Sequence, residues 1–198
     1  LYVGPTGSGH DRAHPVSLNR SDRGNGADKI FRYELGLIQY LESLGVPLAY
    51  TTNGQLDDGA DVYKGARALV TLGHDEYWSL AMRTNLLTLR DRGTNLVFLG
   101  SNTMYYRIRW NADNTRVTSY KVAELDPNQS PETTTTFRAE PYANPEARLI
   151  GSQYDCDGAM PQTDLVVVNP AFWAFAGTGA KAGSRYPKLI GHEVDKAG

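Results

Sequence analysis

The chain has 198 residues, 40% hydrophobic and 21% charged, with a formal net charge of −2. That is one domain's length with room for a core, and the apolar content excludes wholesale disorder. The slight acidic excess argues against nucleic-acid binding, and no stretch approaches the roughly 18 apolar residues of a membrane span. The single cysteine, Cys156, excludes an internal disulfide framework and a cysteine-based zinc cluster.

Residues 1–28 are rich in Gly, Ser, Asp, Asn and Arg and read as loop. The opening Leu-Tyr-Val-Gly-Pro has neither a basic region nor an apolar run, so no signal peptide is expected there. The chain reads as processed or as a piece of a longer one, and its compartment is left open. From Asp28, a candidate N-cap, apolar residues recur at helical spacing through Leu44, and Gly45 stands where a closing glycine belongs. Pro47 to Thr51 is a short strand candidate, and Asp61 to Lys64 a turn or short helix. Ala66 to Leu72 reads as a buried strand, Tyr77 to Arg92 as a helix closed by Gly93, and Asn95 to Leu99 as a third strand. The polar stretch Asn111 to Arg148, with four consecutive Thr at 133–136, reads as an insertion of loop with some β structure. Leu165 to Val168 is a further strand candidate, and Phe172 to Phe175 could be another.

Strands alternating with helices predict an α/β fold: a mostly parallel sheet with helices on both faces. In such sheets ligands bind beyond the carboxyl ends of the strands. Three connections fall there: Thr52 to Gln55, Gly73 to Tyr77 and Gly100 to Tyr106.

The densest polar cluster is Gly73-His74-Asp75-Glu76-Tyr77-Trp78. In extended backbone His74 and Glu76 face one side, leaving Asp75 to cap the following helix. A histidine and a carboxylate facing a crevice suit metal ligation or proton transfer, although acids also favour helix starts for electrostatic reasons alone. Asn102, in Gly100-Ser101-Asn102, can serve a substrate amide or an oxyanion, or simply make a turn. Glu193 and Asp195 share a face if residues 191–195 are extended, and a solvated edge is the plain alternative. A Gly-x-Ser-x-Gly nucleophile elbow and a phosphate-binding loop are both absent from the sequence. Cys156 lies between two acids in Tyr-Asp-Cys-Asp-Gly, which suits packing better than nucleophilic catalysis.

Taken in order, Gly-His-Asp-Glu-Tyr-Trp-Ser at 73–79, Met82-Arg83, and Gly100-Ser-Asn-x-x-Tyr-Tyr-Arg resemble the C-terminal catalytic region of the large (beta) subunit of N,N-dimethylformamidase. The stretch from Trp173 through Gly177-Thr178-Gly179 to Gly191-His-Glu-Val-Asp fits the same region, as does Val16-Ser17-Leu18-Asn19-Arg20. The resemblance implies a class I glutamine amidotransferase-like (flavodoxin-like) fold without the cysteine nucleophile. It implies hydrolysis of a small N-substituted amide at one ferric iron held by two tyrosinates and a glutamate. The glutamate corresponds to Glu76, and the tyrosine ligands lie upstream of Leu1. His74 stands beside the iron site, with Asn102 and Glu193 lining the pocket as catalytic residues. Hard oxygen ligands suit a ferric ion, a Lewis acid toward a carbonyl. A small subunit or a second copy of the chain is the expected protein partner. Two rival readings stand beside this one. One is a non-catalytic domain on the same scaffold that binds carbohydrate or a partner chain. The other is a hydrolase using a different metal, with His74 as a direct ligand.

Overall fold

The computed structural model describes residues 6, 12–19, 28–157, 163–190 and 193–197. Its first strand, β1 (Pro15–Ser17), falls in the segment expected to be loop. A wide helical turn over Ile30–Glu34 leads into α1 (Leu35–Ser43). The apolar stripe of α1 finds little to cover it: no residue of the helix is buried, and Tyr40 is 60% exposed. The short helix α2 (Asn53–Asp58) starts at a capping box, in which the Thr52 side chain accepts from the Gln55 N–H and Gln55 reaches back to Thr52.

Next come β2 (Ala68–His74), β3 (Tyr77–Ser79), α3 (Leu80–Asp91), β4 (Asn95–Ser101) and β5 (Tyr106–Trp110). β2 pairs with β4 in parallel, from Ala68 opposite Asn95 to His74 opposite Ser101. β3 pairs with β5, also in parallel. The helix expected to start at Tyr77 therefore starts three residues later. Ser79 is its N-cap, accepting the Met82 N–H at 2.9 Å, so Asp75 does not cap it. α3 buries Met82, Leu86 and Leu89 against Trp78, Leu56, Tyr63, Met104 and Phe137, with Leu69, Leu96 and Phe98 of the β2–β4 pair alongside.

The parallel sheet with helices on both faces is not what forms. The strands belong to one four-stranded sheet, ordered β1-β6-β5-β3, and three two-stranded ones. Two physical causes are visible. The pair runs in register to His74 and Ser101, with Gly73 at φ +66° near its end, and β4 is followed by left-handed backbone at Asn102 (φ +57°) and Met104 (φ +62°). The chain then resumes as β3 or β5 in a different sheet. Pro47 to Thr51 joins no ladder, so the pair gains no third strand. Beyond β5 the remaining strand pairs are all antiparallel.

The stretch 111–148 contains β6 (Arg116–Thr118), paired with β5 and β1, and then runs mostly as loop. Buried arginines anchor it. Arg107 donates to the carbonyls of Pro131, Thr133 and Tyr142, and Arg83 to those of Asn144 and Pro145. Both guanidiniums stand over the Phe137 ring, at 5.2 Å for Arg83 and 4.8 Å for Arg107. After α4 (Ala147–Ile150), β7 (Ser152–Asp157) pairs with β10 (Glu193–Ala197), and β8 (Thr163–Val166) pairs with β9 (Arg185–Ile190). Cys156, expected in packing, is exposed on β7, and Phe172 to Phe175 ends in a 3₁₀ turn rather than a strand. No described helix is long and apolar enough to cross a membrane.

Candidate functional site

Two glycines shape the carboxyl ends of β2 and β4. Gly73 faces Gly100 in the parallel register. A Cβ on Gly100 would stand 2.2 Å from the Gly73 carbonyl oxygen, so the backbones approach as only glycine permits. Directly beyond this contact lie His74 on β2 and Asn102 after β4.

His74 is the last residue of β2, and its Nε2 lies 3.0 Å from Oε1 of Glu193, the first residue of β10. Both side chains are partly buried. Two residues on, Asp195 Oδ1 accepts the Asn102 backbone N–H at 2.9 Å, and Oδ2 accepts the Ser152 hydroxyl at 3.1 Å. Residues i and i+2 of β10 thus reach the ends of the two neighbouring strands, one each. Asn102 is buried at 4% exposure, and its side-chain oxygen has no hydrogen-bond partner among the described residues. Buried amides are nearly always satisfied, so an uncommitted one at such a turn suits a ligand-binding group.

Asp75 and Glu76 lie between His74 and β3. Asp75 turns to α2, accepting from Asn53 Nδ2 at 3.0 Å, and burial pushes its carboxyl above the ordinary range. Its main-chain oxygen accepts from Trp78 Nε1 and the Met104 N–H. Glu76 is 6% exposed, and its main-chain oxygen accepts the Tyr106 N–H at 2.9 Å.

Around Glu76 the structure places an aromatic and cationic group that sequence reasoning missed. The Tyr77 and Tyr106 rings stack 5.8 Å apart, and the Lys121 ammonium lies 5.1 and 4.5 Å from their centroids. Burial raises the Tyr106 phenol pKa, and the neighbouring Tyr105 and the Glu76 charge add to it. Burial lowers the Lys121 pKa, and the Glu76 charge opposes that shift. Lys121 has φ +66°, uncommon for a lysine. A lone lysine in a polar stretch carries no motif, so nothing in the sequence marks it.

A buried carboxylate is oxygen-donor chemistry of the kind a hard cation takes. The described residues contain no cluster of three His, Cys, Asp or Glu that could hold a metal ion. Two cavities, of about 480 and 430 Å³, lie at the amino ends of β2 and β4 and contain none of the four predicted site residues. His74, Asn102 and Glu193 lie at the opposite, carboxyl end of this strand pair.

A carboxylate–imidazole contact and a buried amide thus meet at the ends of two parallel strands. The chain belongs to the N,N-dimethylformamidase beta subunit-like, C-terminal family, whose model matches residues 1–198. No curated protein matches the sequence.

Proposed function

We propose that this domain contributes the carboxylate–imidazole half of a site hydrolysing the C–N bond of a small N-substituted amide. The contact that carries the reading is Glu193 on His74, made across 119 residues of chain and next to Asn102. Family membership supports the same chemistry.

Glu193 takes the proton of the attacking water, and His74 holds that carboxylate in place through Nε2. The water oxygen bonds to the carbonyl carbon and the C–N bond breaks. The proton passes to the departing amine nitrogen, leaving a carboxylic acid and an amine. The Asn102 side chain faces the reacting amide, its Nδ2 donating to the carbonyl oxygen as negative charge develops and its unpartnered Oδ1 accepting from the attacking water. Glu76 would hold a ferric ion together with ligands from outside the described residues, and that ion would polarise the carbonyl and acidify water. The description as a beta subunit supports a further subunit as protein partner.

The test uses the whole protein and its Glu76→Ala variant, with elemental analysis and release of dimethylamine from N,N-dimethylformamide. Iron near one per chain, lost in the variant together with hydrolysis, is the expected result. Metal in neither protein and no hydrolysis would overturn the proposal in favour of a binding domain. A different metal would favour His74 as a direct ligand.

A further inference from the structure

We propose that Asp195 is the positioning residue of this site, holding Asn102 in its left-handed turn while the same strand face delivers Glu193 to His74. The inference rests on the reading of the site given above. Its evidence is one carboxylate with two jobs. Oδ1 accepts the Asn102 N–H at 2.9 Å, and Oδ2 accepts the Ser152 hydroxyl at 3.1 Å. The first bond fastens β10 to the turn after β4, and the second fastens it to the start of β7.

Asn102 sits at φ +57°, a left-handed conformation that asparagine tolerates better than most residues, and the bond from its N–H to Asp195 fixes the main chain there. A hydrogen bond to an ionised carboxylate belongs to the stronger class, and it secures the main chain while leaving the Asn102 side-chain oxygen unpartnered. The ladder is built for this aim. Val194 and Asp195 are opposite Cys156 and Tyr154, so β7 carries one extra residue, Asp155, at that point. Such a bulge re-aims neighbouring side chains and is common beside active sites. Both Asp195 carboxylate oxygens are committed to these bonds, so its effect on rate runs through Asn102.

The experiment compares Asp195→Ala, Asp195→Asn and Ser152→Ala in the whole protein. One readout is hydrolysis of N,N-dimethylformamide, and the other is hydrogen exchange of the Asn102 amide. Misplacing a catalytic group by about 1 Å costs about a hundredfold, so Asp195→Ala should lower kcat by about that factor with KM nearly unchanged. Asp195→Asn, whose carboxamide oxygen can accept the same bond, should recover most of the rate. Ser152→Ala should stay close to the parent. The Asn102 amide should exchange about tenfold faster in Asp195→Ala alone, reporting local opening. Where Asp195→Ala does not fold, Asp195→Glu, which shifts the carboxylate by one methylene, should show the same loss of kcat. Equal losses in Asp195→Ala and Ser152→Ala would overturn the proposal, because Asp195 would then only fasten the β7–β10 hairpin. So would unchanged exchange at Asn102. If the parent does not hydrolyse the amide, the amidase reading fails, and the exchange comparison still decides whether Asp195 holds Asn102.

Discussion

Glu193 Oε1 stands 3.0 Å from His74 Nε2, joining the first residue of the last strand to the end of β2. An imidazole alone and a carboxylate alone are ordinary surface groups, whereas in contact they can orient and exchange a proton. Glu193→Gln keeps the hydrogen bond and removes the base. We expect kcat/KM for the amide to fall by about 10²–10⁴, with the melting temperature little changed. Steady-state kinetics beside a thermal melt checks this. Full activity in Glu193→Gln would remove the carboxylate from the chemistry.

The approach of Gly73 and Gly100 leaves no room for a side chain. Gly100→Ala places a methyl group 2.2 Å from a carbonyl oxygen that cannot rotate away, so β2 and β4 must part at the site end. Forced overpacking of this kind costs about 1–3 kcal/mol, and backbone-on-backbone clashes lie at the upper end. A urea titration should show the lower midpoint. Amide hydrolysis should fall with it, because His74 and Asn102 both hang from these strand ends.

Arg107 and Arg83 hold the 131–145 loop by donating to its carbonyl groups. Burial lowers both guanidinium pKa values, that of Arg83 to about 10, and both groups stay charged at neutral pH. Arg107→Met leaves buried acceptors without donors, at about 1–3 kcal/mol each. Arg107→Lys should rescue little, because an ammonium cannot span the Pro131 and Tyr142 carbonyls as a guanidinium fork does. Chemical denaturation, with limited proteolysis of residues 126–145, measures both effects.

Asp126 gives the fold an acid-sensitive point. Burial pushes its carboxyl up, but Arg109, the Thr134 hydroxyl and N–H, and the Asn128 N–H more than offset that, so its pKa is held well below the usual range. A depressed folded-state pKa means stability that is present above the unfolded value of about 3.9 and is lost as pH falls below it. The parent should lose stability steeply below about pH 4, and Asp126→Asn should lose much of that slope. At neutral pH the variant should be about 3–5 kcal/mol less stable, since it leaves Arg109 without its buried partner. Denaturation midpoints across pH 2–7 test both statements.

Much of the local structure was legible in the residues themselves. Apolar runs marked β2 and β4, helical spacing with a closing Gly93 marked α3, and the ordered motifs around His74, Glu76, Asn102 and Glu193 marked the family. These signals are local, set by side-chain period and by glycine conformation. They could not show that the parallel pair stops at two strands. Where each parallel strand ends, after His74 and after Ser101, depends on which sheet the next few residues join, which is a tertiary choice.

The site divides in the same way. Residue type and order alone determined the candidate chemistry: one carboxylate with a neighbouring histidine, an amide, and a second carboxylate near the end. Only the tertiary structure decided that Glu193 meets His74, that Asp195 takes the Asn102 backbone, and that Lys121 settles over Tyr77 and Tyr106. Those contacts depend on the register of β7 with β10 and on the loop after β6, both set by pairings between distant residues. A one-residue slip in register flips every side chain to the other face, and the β7–β10 pairing is closed between strands about 40 residues apart with a bulge at Asp155.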